Sequence, residues 1–467
     1  MSARSVAVMG GGMAGLSAAL MLARDGHRVT LLERDAFEVG APEDAPHWRR
    51  AGIPHFLQPH AFIPRGRVEL KEHLPDVYAA LIAAGAEDVD LRRKLPGSAG
   101  PGDEDLQYLA VRRPVIEWAL RRAVCAEARI DVRDGVKVAG VRTDAMRVTA
   151  VGADGVDLAV DLVVDALGRR TPTGRWLAEA GVPGHDVETS DCGVIYYSRY
   201  YRQRDGFALP DGPWILSPRG DLGYLAYSTF PGDNRTFAAV LAVPTGVPEW
   251  RVLNDPAAFD AAVALIPALR LWADPAGVDP ITGVLAMAGL HNSIRRYDAG
   301  SPIGLVPVGD AACHTDPVLA HGLSFALIHA AELAAALRGH HDPGDALAAF
   351  AAATAPALRE RYDLATALDA QRHRMWTGQS VDFTRHDGDY ALFSLLAAGA
   401  AATLDADVFR VFVRRIGLLD STRVLDSDVG MQRRIEQLFG EMLATRRPAA
   451  GPPRDEMLAA SRAAANG

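Results

Sequence analysis

The sequence contains few cysteines, no excess of basic residues and no long uninterrupted apolar run. Cys125, Cys192 and Cys313 are far apart and form neither a C-x-x-C pair nor a zinc-ligand spacing, so they predict buried free thiols in a reducing compartment and no metal site. The formal net charge of −9 argues against a surface for nucleic acid or anionic membrane. The Ala-rich stretch 323–337 is too short to cross a bilayer, and polar residues interrupt it.

The composition is that of a globular enzyme with a large core. Hydrophobic residues make up 49% of the chain and charged residues 23%, and 467 residues are enough for about two or three domains. The apolar residues after Arg4 resemble a signal peptide, but glycines interrupt them, so we interpret them as folded structure. We therefore expect a cytoplasmic protein without a membrane span.

A glycine-rich turn follows the first predicted strand. The apolar residues 6–9 lead into Gly10-Gly11-Gly12-Met13-Ala14-Gly15, and a helix-forming stretch comes next. Gly10 permits a tight turn, Gly12 lets the backbone approach a pyrophosphate, and Gly15 lets the helix pack close to the strand. The start of the helix, where Met13 and Ala14 lie, presents free N–H groups and a partial positive charge to phosphates.

An acidic residue completes this motif. A second predicted strand ends at Glu33, 18 residues after Gly15, with Arg34 directly behind it. A carboxylate in this position can accept hydrogen bonds from a ribose. Strand, turn, helix, strand and acid together predict a dinucleotide-binding unit, with Glu33 and Arg34 among its contacts.

The rest of the chain changes character twice. Residues 67–85 have helical spacing, and from about 185 to 295 aromatic and β-branched residues alternate between turns, which indicates antiparallel sheet. Beyond residue 340 the pattern is mostly helical, beginning with a helix over 344–375. There is no second G-x-G-x-x-G, so a reductase with two dinucleotide sites is not expected.

Three motifs follow one another in the chain. The first is the glycine turn with Glu33, the second is the apolar strand and turn 161–172, and the third is 309–324, in which Gly309-Asp310-Ala311 is followed by Pro317 and Gly322. Over about residues 1–340 this set resembles the FAD-dependent monooxygenase superfamily typified by p-hydroxybenzoate hydroxylase. That superfamily includes flavin epoxidases and flavin-dependent halogenases.

The resemblance implies an α/β fold with a Rossmann-like FAD-binding domain. We assign residues 1–184 and 296–340 to this discontinuous domain, residues 185–295 to an antiparallel-sheet substrate domain, and residues 341–467 to a helical C-terminal region. FAD is the implied cofactor.

The resemblance also implies a set of cofactor contacts. Asp310 takes the position that binds the ribityl chain, and the helix beginning at Leu323 directs its N-terminus at the flavin ring. Gly322 permits close approach to the ring and Pro317 stiffens the loop beside it. The remaining contacts expected from the second and third motifs are Asp165, Gly168 and Gly309.

Further contacts are expected from two other segments. An arginine at the start of the helix after residue 111 reaches the pyrophosphate in the family; we assign this role to Arg113, with Arg112 as the alternative. Segment 48–60 resembles the segment over the flavin in epoxidase-like members, which places Arg50 and Gln58 near the cofactor.

The sequence departs from the family pattern at two points. The Asp-Gly dipeptide that contacts FAD and NAD(P)H in single-component hydroxylases is replaced by Ala166-Leu167-Gly168-Arg169. The electrons are therefore expected from NAD(P)H or from reduced flavin supplied by a separate flavin reductase. The Trp-x-Trp-x-Ile-Pro motif of halogenases is absent, so halogenation is the weaker expectation.

The resemblance predicts an oxidoreductase of secondary metabolism. It would activate O2 as a flavin C4a-hydroperoxide and hydroxylate or epoxidise an apolar or aromatic small molecule. The alternatives are an oxidase, dehydrogenase or reductase that moves hydride without oxygen insertion, and a flavin-binding protein without catalysis.

The catalytic candidates come from a predicted strand and from the third motif. Along the strand, Tyr197 and Arg199 share one face and Tyr196 and Ser198 the other, and the sequence does not say which face lines the pocket. The candidates in these two segments are Tyr197, Arg199, His314 and His321.

Overall fold

The computed structural model describes residues 3–297, 301–379, 390–445 and 451–466. Strands and helices alternate up to about residue 200 and helices dominate the last third. The strands are β1 (Ser5–Met9), β2 (Arg28–Leu32), β3 (Glu87–Asp90), β4 (Gln107–Ala110), β5 (Ile130–Arg133), β6 (Val138–Asp144), β7 (Arg147–Ala153), β8 (Val156–Ala159), β9 (Leu162–Asp165), β10 (Val187–Asp191), β11 (Val194–Gln203), β12 (Arg219–Asp221), β13 (Ala226–Pro231), β14 (Thr236–Pro244), β15 (Val278–Pro280), β16 (Leu285–Met287), β17 (His291–Arg295), β18 (Leu305–Pro307) and β19 (Cys313–His314).

The helices surround these strands. They are α1 (Met13–Arg24), α2 (Pro64–His73), α3 (Pro75–Ala83), α4 (Arg113–Ala126), α5 (Thr173–Glu179), α6 (Pro256–Leu265), α7 (Pro267–Trp272), α8 (Gly322–Gly339), α9 (Pro343–Trp376), α10 (Tyr390–Ala401), α11 (Ala406–Ile416), α12 (Val429–Thr445) and α13 (Arg454–Asn466). Among the helices that the structure describes, none combines the length and apolar composition that a bilayer crossing needs.

The N-terminal half is built on a parallel sheet with the strand order β18-β9-β1-β2-β5. Side chains of β1 alternate between two cores: Val6 and Val8 pack against α1, α4 and α8, whereas Ala7 and Met9 face β6, β7 and α5. Both faces are covered, as expected for parallel strands with apolar sequences. The predicted α/β class with a Rossmann-like sheet is confirmed.

The second half of the architecture is an antiparallel sheet in the order β12-β13-β14-β11-β15, with β16 also paired to β11. Its outer face packs on α6, α7 and α13 around Phe237 and Trp250. A small sheet, β10-β17-β19, connects this region to the turn that follows β18. The predicted antiparallel sheet and helical C-terminal region are confirmed as elements of the fold.

Two helix predictions had different outcomes. The predicted helix 344–375 is α9, which begins at Pro343 behind the cap Asp342 and ends at Trp376. The predicted helix 67–85 is two helices, α2 and α3, because Pro75 cannot continue α2 and starts α3 instead. The predicted domain limits stay a prediction, and residues 298–300, 380–389 and 446–450 within them lie outside the described residues.

Candidate functional site

The glycine turn joins the carboxyl end of β1 to α1. Gly10 has φ +104°, and a Cβ on it would lie 2.6 Å from the carbonyl oxygen of Ala166. A Cβ on Gly15 would lie 1.8 Å from the carbonyl oxygen of Gly10, which no side chain can tolerate. The first turn of α1, with Met13 and Ala14, contains no acidic residue, so its N–H groups remain suited to an anion.

Glu33 lies directly beside this turn. Its carboxylate accepts hydrogen bonds from the amides of Gly11 and Asp35, each at 2.8 Å, and forms an ion pair with Arg50 at 2.9 Å. The buried Arg50 guanidinium also lies 3.4 Å from Glu117. The structure thus brings Glu33 and Arg50 together at the glycine turn, as a cofactor role requires. The side chain of Arg34 is 59% exposed at the edge of this group.

The structure separates the two adjacent arginines at the start of α4. Arg112 forms a buried ion pair with Asp233 at 2.6 Å and points away from the glycine turn. Arg113 pairs with Glu117 at 2.9 Å, and its Nη2 lies 3.9 Å from the position of a Cβ on Gly12. Of the two candidates, Arg113 is the one over the turn where a pyrophosphate would lie.

The third motif is packed against the first. A Cβ on Gly309, which has φ +56°, would lie 2.7 Å from Cβ of Ala14, and the Gly309 amide donates to Nδ1 of His329 at 2.9 Å. Asp310 follows, and Gly322 at the start of α8 is close to it, with a Cβ position 3.8 Å from Asp310 Oδ1. The N-termini of α1 and α8 therefore converge around Asp310.

The carboxylate of Asp310 is ionised in this setting. Burial alone would raise its pKa, but His314 Nδ1 at 3.2 Å, together with Arg113, holds the pKa well below the usual range. An ionised carboxylate can accept hydrogen bonds from the hydroxyls of a ribityl chain. His314, predicted as catalytic, thus lies beside a predicted cofactor contact.

Two histidines near Asp310 were not among the predicted site residues. Burial and the nearby Arg113 lower the pKa of His55 to about 2 and that of His60 to about 3, so both imidazoles are neutral. The Nδ1 of His60 lies 2.7 Å from the carbonyl oxygen of Gln58. The histidine- and proline-rich composition of loop 45–60 marks it as an ordered segment. The sequence does not show that His55 and His60 lie near Asp310; the fold of the loop does.

The turn before α8 contains an uncommon backbone conformation. Asp316 caps the short turn at Pro317 by accepting the amide of Val318 at 3.1 Å, and Ala320 then adopts φ +57°. A non-glycine residue in this region is uncommon and is often found at functional sites. Leu323 is buried in the first turn of α8.

Asp165 holds the loop that follows β9. Its carboxylate accepts the hydroxyls of Thr171 at 2.7 Å and Thr173 at 2.6 Å and the amide of Leu167 at 3.1 Å. Its contact with the cofactor stays a prediction. Gly168 has φ +78° in the same loop, with open space at its Cβ position.

The two faces of β11 have different partners, which the sequence left open. Tyr196 donates its hydroxyl to Asp316 at 2.5 Å, and Ser198 donates to the buried Gln58 at 2.8 Å. On the other face, Tyr197 packs in the outer core with Trp250, and Arg199 pairs with Asp260 on α6. The catalytic role of Tyr197 and Arg199 stays a prediction.

His321, another catalytic candidate, lies in an enclosed position, and its catalytic role stays a prediction. It is buried directly before α8, and its ring meets Phe325 edge to face with centroids 6.2 Å apart. Burial and the charge of Arg361 hold its pKa well below the usual value despite a bond to the Ile416 carbonyl. The imidazole is therefore neutral and enclosed.

The assembled residues fit an FAD molecule. The open N-terminus of α1 and Arg113 suit a pyrophosphate, Glu33 suits a ribose, and the ionised Asp310 suits a ribityl chain. Among the described residues outside the glycine turn, Ile53 at 3.4 Å and Arg113 at 3.9 Å are those within 4 Å of the Cβ position of Gly12. The set matches each chemical part of the cofactor in order.

Comparisons with known proteins agree with this geometry. The family model described as FAD dependent oxidoreductase matches residues 5–109. Protein Rv3254 of Mycobacterium tuberculosis is 29% identical over 452 residues, covering 90% of both chains. The FAD-dependent monooxygenase OpS4 of Beauveria bassiana is 32% identical over 260 residues, 52% of this chain and 55% of that protein.

A solved structure shows the same fold over nearly the whole chain. The myxobacterial chondrochloren halogenase CndH is 19% identical, with a TM-score of 0.58 and coverage of 98% of this chain and 99% of its own. By its site and by the family match over residues 5–109, the chain is similar to FAD-dependent oxidoreductases. It shares its fold with solved oxygenases and halogenases, and about half of it resembles an FAD-dependent monooxygenase.

Proposed function

We propose that this enzyme inserts one atom of O2 into an apolar or aromatic small molecule by hydroxylation or epoxidation. The observation that carries the proposal is the contact between the turn at residues 316–321 before α8, called the flavin-side turn below, and one face of the antiparallel sheet. Tyr196 bonds to Asp316 beside Pro317, and Ser198 bonds to Gln58. The reactive end of a flavin held by Asp310 would therefore face this surface of the sheet.

That surface is mainly apolar. Its buried side chains include Val240 and Ala242 of β14, with Met287 and Trp376 packed against them. Its two nearest polar groups, Tyr196 and Ser198, are already bonded to the protein. Such a surface favours a substrate recognised by shape and apolar contact.

The side chains of this enzyme would bind and orient the cofactor and the substrate and would exclude water from them. Arg113 and the N-terminus of α1 would hold the phosphates, Asp310 would fix the ribityl chain, and the N-terminus of α8 would favour negative charge on the ring. FAD, when bound, supplies the two-electron chemistry with O2. The electron source is proposed to be NAD(P)H or reduced flavin from a partner reductase.

An isotope experiment tests the proposal. The purified enzyme with FAD, a reductant, bromide and a panel of phenols and alkenes is supplied with ¹⁸O2, and products are examined by mass spectrometry. One ¹⁸O atom in a product supports oxygen insertion. Turnover that continues without O2, or products without label, would indicate hydride transfer, and bromide incorporation would indicate halogenation. NAD(P)H oxidation by the isolated enzyme identifies the electron source.

A further inference from the structure

Two aspartates are buried side by side where the flavin-side turn, the small sheet and α9 meet. Asp316 lies directly before Pro317, and Asp369 is on α9. Asn292 of β17 connects them, since its side-chain oxygen accepts the Asp316 amide at 2.6 Å and its side-chain nitrogen donates to Asp369 at 2.7 Å. Arg372 contacts both carboxylates, at 2.6 Å and 2.5 Å.

The charges of this cluster do not balance without a proton. Two carboxylates and one guanidinium leave one negative charge in a buried site, which is costly. The other titratable groups facing the pair are Cys192 and Tyr196, and burial raises the pKa of both, so they remain uncharged. Asp221, at the end of β12, lies further away and accepts a hydrogen bond from Trp376 at the end of α9.

The proton has a defined position on the pair. Burial and the bond to Asp316 raise the pKa of Asp369 to about 8. Burial also acts on Asp316, but Arg372 and the other donors around it hold its pKa below the usual value. Asp369 is therefore the protonated partner at neutral pH and Asp316 the ionised one. Because Arg372 already supplies the positive charge between the carboxylates, the pair is not set up for a metal ion.

Asp316 links this pair to Tyr196 on β11. One oxygen of Asp316 faces Arg372, and the other accepts the hydroxyl of Tyr196 at 2.5 Å. Tyr196 lies on the face of β11 that is turned toward the flavin-side turn. The order Asp369, Asp316, Tyr196 thus connects a buried acid to the surface where the substrate is proposed to bind.

Building on the monooxygenase function proposed above, we propose that Asp316 and Asp369 store one proton and pass it through Tyr196 to the oxygen reaction. Monooxygenation consumes O2, two electrons from NAD(P)H or reduced flavin, and two protons; one oxygen atom enters the substrate and the other leaves as water. The pair supplies one of these protons and regains it from solvent. Asp316 and Asp369 are positioning residues, since they act through Tyr196.

The variant Asp369→Asn removes the proposed stored proton and keeps the shape of the side chain. The amide has the shape and neutrality of the protonated acid and still offers an N–H donor to Asp316, but it has no proton to release. The matched control is Asp342→Asn, an exposed cap at the start of the same helix, where asparagine caps equally well. Melting temperature and FAD content of both variants should equal those of the wild type.

Two readouts need no substrate. Infrared spectra of wild-type holoenzyme at pH 7 should show the carbonyl stretch of a buried protonated carboxyl group, and this band should be missing in Asp369→Asn and present in the control and in Tyr196→Phe. Reduced holoenzyme mixed with O2 should be reoxidised at least about tenfold more slowly in Asp369→Asn and Tyr196→Phe than in the wild type below pH 8.

The outcomes separate this inference from the proposed function. A wild-type spectrum without the band, or reoxidation by Asp369→Asn that follows the wild-type pH profile from pH 6 to 9, overturns the proton store. A normal band and pH profile with no labelled product would instead leave the proton store in place and overturn oxygen insertion into a substrate.

Discussion

The flavin side and the substrate side of this molecule are specified in different ways. On the flavin side, Gly10, Gly15 and Gly309 have close contacts that leave no room for a Cβ, so the sequence pattern and the geometry coincide. On the substrate side, both faces of β11 contain tyrosines, and tertiary contacts alone decide which face meets the site. The flavin side is therefore specified by short motifs, and the substrate side by packing between distant segments.

The largest effect is expected from Gly15→Ala, which tests the flavin side. The added Cβ would lie 1.8 Å from the carbonyl oxygen of Gly10, so α1 must move away from β1, at a cost of more than ~4 kcal/mol. We expect loss of FAD and of most folded protein, measured by flavin absorbance and circular dichroism. Gly440→Ala, in open space on α12, should be neutral or slightly stabilising; equal behaviour of both variants would refute the close approach.

A smaller effect is expected from Asp310→Asn. The side chain keeps its size but loses the charge that His314 and Arg113 stabilise, and hydrogen bonds to charged groups are worth about 1.5–3 kcal/mol. FAD should bind about 10- to 100-fold more weakly, as measured by fluorescence titration, with melting of the apoprotein little changed. Asp345→Asn on the exposed face of α9 is the control. Unchanged FAD affinity in Asp310→Asn would remove Asp310 from the cofactor site.

The sequence predicted the elements of the flavin side well and the pairing of side chains poorly. The βαβ unit, the Gly309-Asp310 turn and the start of α8 follow from local motifs. Which of Arg112 and Arg113 faces the glycine turn depends on Asp233, 121 residues from Arg112. The bonds of Asp165 depend on the loop that follows β9. His55 and His60 become site residues only because loop 45–60 folds over Asp310. Local patterns contain no information on such distant partners.

On the substrate side, Asp369 is expected to make the free energy of unfolding depend on pH. The pKa of Asp369 is about 8 in the folded chain and returns to about 4 on unfolding. Between these values the folded chain keeps a proton that the unfolded chain has released, so this residue makes the free energy of unfolding fall as pH rises, by up to about 1.4 kcal/mol per pH unit.

Urea denaturation between pH 5 and 8 measures this slope. Asp369→Asn should be flatter with pH than the wild type and more stable than it at the upper end of the range, whereas Asp342→Asn should run parallel to the wild type. Parallel curves for wild type and Asp369→Asn would show that Asp369 is ionised in the folded chain. The substrate side would then lose its main example of a property set by packing between distant segments.

The smallest effect on stability is expected from Tyr197→Phe, and its comparison with Tyr196→Phe distinguishes the two faces of β11. Tyr197→Phe removes a hydroxyl from the outer core, where the ring supplies the packing, and should change stability by less than ~0.5 kcal/mol and leave reoxidation unchanged. Tyr196→Phe removes the donor to a buried, ionised Asp316 and should cost about 1.5–3 kcal/mol. Denaturation and reoxidation are measured on both holoenzymes. Since the two residues are adjacent and chemically identical, a larger effect at Tyr197 would mean that the other face of the sheet meets the flavin, and the substrate surface would have to be reassigned.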